Sequence, residues 1–263
     1  MNPEQIVESG LARLGQETLT RLAALGDFAR FVVATHRVLF FRRLPFAETL
    51  RQFDAITVRS STIVFITALF TGMVLALQTA SALGRFGAKP YTGSFVGLAF
   101  VLELGPVLTA VVVAGRVGAG ISAELGSMAV SEQVDAIRAL GADPTQKLVV
   151  PRVVATTLGL PMLAMFSNWL GILGGLLIAT QSGIGASFYY QSVVGVVTLT
   201  DLWSGLVKTL VFGWLIAMIA CHQGLATKGG TVGVGQATTR TVVVSSIAVF
   251  VSDFFLTKVI LLW

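Results

Sequence analysis

The chain has 263 residues, 54% of them hydrophobic and only 12% charged, with one cysteine and a formal net charge of +5. An ordinary soluble domain carries about twice that charged fraction, and the mean hydropathy of +0.83 points to a polytopic membrane protein instead. The single Cys221 excludes an internal disulfide framework and a multi-cysteine metal site, and it reads as a small apolar residue.

The N-terminal 59 residues lack the short basic region, apolar core and cleavage site of a signal peptide. From Arg21 to Phe41, leucine, phenylalanine and valine alternate with Arg21, Asp27, Arg30 and Arg37. That mixture suits a helix lying in the membrane interface, with a loosely ordered leader as the alternative; Arg42, Arg43 and Pro45 end it. Five later segments approach the roughly 20 apolar residues that a crossing requires. They run about Ser60–Leu83, Ser94–Ile121, Val149–Thr180, Ser204–Cys221 and Thr241–Leu262. Pro106 in the second, and Pro151 and Pro161 in the third, mark kinks whose freed carbonyls need partners within the protein. Gly171-x-x-x-Gly175 and Gly115-x-x-x-Ala119 allow close helix approach, at a dimer seam or, as the preferred reading, within one chain.

Arginine and lysine placement sets the orientation. Arg13, Arg21, Arg30, Arg37, Arg42, Arg43, Arg51 and Arg59 precede the first span, whereas the loop from Gln181 to Trp203 carries no Arg or Lys. The N-terminus and the loop after the second span are therefore expected in the cytoplasm and the C-terminus outside. This bias accounts for the net charge without a nucleic-acid partner.

Between the second and third spans lies a charged island, Glu124-Leu-Gly-Ser-Met-Ala-Val-Ser-Glu-Gln-Val-Asp-Ala-Ile-Arg-Ala-Leu-Gly-Ala-Asp-Pro144. Met128, Val134, Ile137 and Leu140 can form an apolar stripe, with Glu132, Asp135 and Arg138 on another face. Gly141 is placed to end this helix, and Asp143-Pro144 to start the next. A surface of this kind can receive a push from another protein; the alternative is a solvated connecting helix without a partner. Glu103, Lys208, Asp253 and Lys258 fall in or near the apolar spans, where a charge costs at least ~2.5 kcal/mol unless paired or hydrated. Glu103, followed by Gly105-Pro106, reads either as part of a headgroup cavity or as a buried structural partner, and the two lysines as snorkelling side chains. The glycine-rich Gly229–Gly235 lacks the Gly-Lys-Ser/Thr of a phosphate loop and reads as turns.

Glu103-Leu-Gly-Pro106, Ala114-Gly-Arg-Val-Gly118, Ala123-Glu-Leu-Gly126, Glu132-Gln-Val-Asp-Ala136 and Gly141-Ala-Asp-Pro144 together resemble the MlaE permease family. Gly233-Val-Gly-Gln-Ala-Thr-Thr-Arg240 and Val242-Val-Val-Ser-Ser246 resemble its last loop and final helix; the likeness runs from about Arg51 onward. Leu102 stands where some members carry arginine. The resemblance implies the transmembrane subunit of an ABC transporter in the bacterial inner membrane. Such a transporter moves phospholipids or related lipids to or from a periplasmic MCE-domain protein and contributes to outer-membrane lipid homeostasis. It further implies a homodimer carrying two cytoplasmic ATPases, which would hold the ATP and Mg, with a small cytoplasmic accessory subunit as a further partner; no cofactor is expected on this chain. Glu132, Asp135 and Arg138 would contact the ATPase, and Glu103, Leu77, Gln78 and Phe86 would lie on the lipid path.

The expected fold is thus an all-α polytopic membrane protein. Residues 1–59 form a cytoplasmic N-terminus with an interfacial amphipathic helix, and residues 60–263 a five-helix permease domain with a cytoplasmic coupling segment at 124–148. Two other functions fit the residues: an ion-coupled carrier or channel that uses Glu103 and Asp253, and a membrane scaffold that transports nothing.

Overall fold

The computed structural model describes residues 3–260 and 262, in two units that divide after Arg43. In the first unit, α1 (Pro3–Phe41) is one continuous helix. Among its described side chains, Leu19, Leu22, Leu25, Val33, Phe40 and Phe41 are exposed, and Arg30 pairs with Asp27 one turn away.

The second unit holds five helical spans long and apolar enough to cross a membrane: Phe46–Gly84, Lys89–Val130, Thr145–Gln181, Leu199–Leu225 and Gly230–Ile260. The expected all-α polytopic architecture is present, and every span begins earlier than its apolar run. The first contains α2 (Phe46–Phe53), a π-helical turn over Asp54–Val58 and α3 (Arg59–Gly84). Its charges suggested a boundary near Arg59, but they do not interrupt the helix. Arg51 pairs with Glu48 at 3.0 Å and Arg59 lies 3.9 Å from Asp54, all along its surface.

The second span is segmented as α4 (Thr92–Ala99), α5 (Gly105–Val113) and α6 (Ala119–Val130), separated by π turns at Phe100–Leu104 and Ala114–Gly118. The island helix α7 (Gln133–Ala139) follows, then a π turn at Thr145–Val149 and α8 (Val150–Gln181). Two of these π turns stand immediately ahead of Gly105-Pro106 and Val150-Pro151. Proline supplies no amide proton to the preceding turn, so the helix there shifts register.

A short helix, α9 (Ala186–Val194), packs on α4; Tyr189 donates to Ile172 O at 3.2 Å and Ser94 to Ser192 O at 3.0 Å. Then α10 (Leu199–Leu225) starts with a capping box, in which Thr198 and Asp201 each satisfy the other's backbone amide. It is the most buried span, and α11 (Gly230–Ile260) the least. Cys221 lies fully buried on α10, as its apolar reading required.

In lipid no hydrophobic force drives one apolar helix against another, so close backbone approach must supply the contact. The buried face of α3 is Ser60, Val64, Ala68, Gly72, Ala76 and Ala80, a four-residue period of mostly small side chains facing α8. A Cβ on Gly72 would stand 1.9 Å from Gly171 O, and one on Gly174 2.2 Å from Leu69 O. Gly171 and Gly175 therefore serve contacts within the chain, Gly171 against the Phe100 ring and Gly175 against Tyr189. Gly115 behaves differently from expectation: it is exposed, with nothing within 4 Å of a Cβ. Replacing Gly72 by alanine should lower the unfolding midpoint of the detergent-solubilised protein by at least ~5 °C through overpacking. Gly120→Ala, at a helical position with open space, should leave the midpoint unchanged or slightly higher.

Candidate functional site

Two polar assemblies interrupt the apolar bundle. The first lies between the second, fourth and fifth spans and is built on Lys208 of α10, whose side chain is 2% exposed. Its ammonium reaches Glu103 Oε1 at 2.7 Å and Asp253 Oδ1 at 3.2 Å. It also donates to Leu102 O at 3.0 Å. That carbonyl is the one Pro106 would serve in an unbroken α ladder, so the lysine substitutes for the missing amide. Thr257 adds a hydrogen bond to Glu103 Oε1 at 3.1 Å.

This geometry corrects the reading of Lys208 as a snorkelling side chain, since its charge is held inside the bundle. Lys258 is exposed on the last turn of α11, where snorkelling remains available to it. Two carboxylates face one ammonium, and Glu103 keeps 41% of its side chain exposed while Asp253 keeps 18%. Lys208 thereby fills the place between Glu103 and Asp253 that an ion-coupled carrier would reserve for its cation. On α8, Asn168 Oδ1 is buried without a hydrogen-bond partner beside Gly105, and a Cβ at Gly105 would fall 1.6 Å from it.

The second assembly is the island. The continuous α6 carries Glu124 to Val130 as an extension of the second span, so the separate helix is shorter than the charged run that suggested it. Glu132 turns the chain between α6 and α7 at φ 58, the only positive φ among the described non-glycine residues. Gly141 at φ 75 closes α7: its amide donates to Arg138 O at 2.9 Å, and that of Ala142 to Ile137 O at 3.1 Å. Asp143 Oδ1 then accepts from Thr145 N at 2.9 Å, starting the next helical segment. Both caps stand where the residue types placed them. Asp135 and Arg138 pair at 2.7 Å in solvent. Of the expected apolar stripe, Val134 is buried and Met128 and Ile137 are half-buried, but Leu140 is 85% exposed. Glu132, Asp135, Arg138 and Leu140 are thus all exposed on the island.

The structure places the other lipid-path candidates apart from these assemblies. Leu77 and Gln78 stand on the exposed face of α3 and Phe86 in the turn after it, 83% exposed. Lys208, Thr257 and Arg152 were not singled out from sequence as site residues; a lone lysine inside an apolar run was the available signal for the first.

The family model described as Permease MlaE matches residues 49–259, which takes in the island and nearly all of the five spans. The chain belongs to the MlaE permease family. A protein of Synechocystis sp. named as a probable ABC transporter permease is 45% identical over 215 residues, 81% of this chain and 82% of that protein. The intermembrane phospholipid transport system permease MlaE of Haemophilus influenzae is 31% identical over 95% of this chain and 96% of its own length. The chloroplastic protein trigalactosyldiacylglycerol 1 of Arabidopsis thaliana is 38% identical over 82% of this chain and 62% of its own length. The chain is accordingly a permease subunit of an ABC transporter of the MlaE family.

Removing the ammonium would leave two carboxylates and a carbonyl without their donor, so Lys208→Met should cost about 3–5 kcal/mol. Glu103→Gln, at a half-exposed position that can still accept a hydrogen bond, should cost less than half as much. Thermal unfolding of the purified variants in detergent reads this order directly.

Proposed function

We propose that this permease moves phospholipids between the bacterial inner membrane, where two copies pair, and a periplasmic MCE-domain protein, driven by a cytoplasmic ATPase seated on the island. The observation that carries the reading is the similarity, along 95% of the chain, to a permease named for intermembrane phospholipid transport. A second relative that carries a glycerolipid's name supports it.

The island meets the chemical requirements of an ATPase contact. Leu140 offers an apolar anchor that its own chain leaves uncovered, while Glu132, Asp135 and Arg138 can fix register through oriented charge pairs. The Arg and Lys bias supports a cytoplasmic N-terminus and island and a periplasmic C-terminus. On the lipid side, Glu103 presents a half-exposed carboxylate at a break in the second span, where a headgroup could be guided past apolar walls. Leu77, Gln78 and Phe86 would extend that path along the first span. A small cytoplasmic accessory subunit is a further partner of the assembly. This chain's part is to bind and pass the lipid, and ATP and Mg belong to the ATPase.

Co-purification tests the contact. Replacing Glu132 and Asp135 by alanine, and separately Leu140 by aspartate, should weaken ATPase association at least about tenfold. Both variants should still insert and unfold as the parent does, because these side chains are exposed. Undiminished pull-down with undiminished ATP turnover in both would refute the island as the docking site.

A further inference from the structure

A second buried cation, also paired with a carboxylate, lies at the base of the island. Arg152 sits one residue after Pro151 at the start of α8, with its side chain 3% exposed. Its Nη2 meets Glu124 Oε1 on α6 at 2.8 Å, and its Nη1 donates to Leu148 O at 2.6 Å, within the π turn that leads into α8. One guanidinium therefore ties the end of the second span to the beginning of the third, on both sides of the island.

Arginine stays charged in any protein setting, and a guanidinium this deeply buried needs a counter-charge. Glu124, with 55% of its side chain exposed, supplies one at little desolvation cost to itself. The pair spans residues 124 and 152 and so closes the segment that contains α7, Gly141 and the Asp143 cap. α6 and α8 have little other contact with each other, so this pair is the tie between the two helix ends that flank the island.

Building on the ATPase contact proposed above, we propose that the Arg152–Glu124 pair is a strut that transmits motion of the island into the second and third spans, which makes both side chains positioning residues for coupling. The test reconstitutes the permease with its ATPase and MCE partner in liposomes and measures phospholipid transferred per ATP hydrolysed. Hydrogen exchange at amides 131–149 is followed in parallel. Glu124→Gln keeps the shape and removes the charge. Assembly and ATP hydrolysis should stay within about twofold of the parent, transfer per ATP should fall about tenfold, and island amides should exchange faster while the spans stay protected. Glu124→Asp should recover most of the transfer ratio. An unchanged ratio with unchanged exchange in Glu124→Gln would overturn the strut. Failure of the parent itself to bind the ATPase or to couple its turnover to transfer would instead overturn the underlying ATPase reading.

Discussion

Within an apolar slab, every backbone carbonyl freed by a break in a helix must find a donor inside the protein. That constraint organises this permease. Pro106 and the π turn before it leave Leu102 O to be served, and Lys208 reaches across from the fourth span to serve it. A buried ammonium then requires carboxylates, which come from Glu103 on the second span and Asp253 on the fifth. One break in one helix thus ties three spans together through a single side chain. At the island end, Arg152 is likewise a buried cation, and its counter-charge comes from Glu124.

The two clusters join the second span to the third, fourth and fifth. Small residues on α3 and α8 let the first and third spans meet backbone to backbone, and that contact holds its shape through van der Waals packing. The second span is different, since two π turns divide it and its polar ties lead to other helices. A helix interrupted in this way can change its register or bend at defined places, while an unbroken one moves as a rod. Glu103 lies at the upper interruption and Glu124 toward the island, so both polar assemblies act on the same segmented helix.

What could be read from the residues was what depends on near neighbours in the chain. Five apolar runs, the ends of α7 at Gly141 and Asp143, and the breaks at Pro106 and Pro151 follow from spacing and residue type, whereas α8 runs unbroken through the third expected kink at Pro161. The span boundaries moved outward because the charges of Arg51, Asp54 and Arg59 lie along a helix surface, which apolar run-length does not register. Glu124, read as part of a solvated island, proved to be a helix extension paired with a buried arginine. Lys208 and Glu103 are 105 residues apart, and Thr257 and Glu103 are 154 apart. No local pattern joins them, and only the packing of the spans does. The family motifs marked Glu103 and the island as important positions, but they did not supply the partners that explain why.

In the proposed function the island receives the ATPase and lipid passes beside Glu103 on the segmented second span. A cryo-EM map of the dimer bound to its ATPase, prepared in native lipid, tests both parts at once. The account requires α7 to be seated in the ATPase, with Asp135, Arg138 and Leu140 covered, and lipid density beside Glu103. An ATPase bound elsewhere with α7 left in solvent, or lipid confined to the outer surface of the dimer, would contradict it.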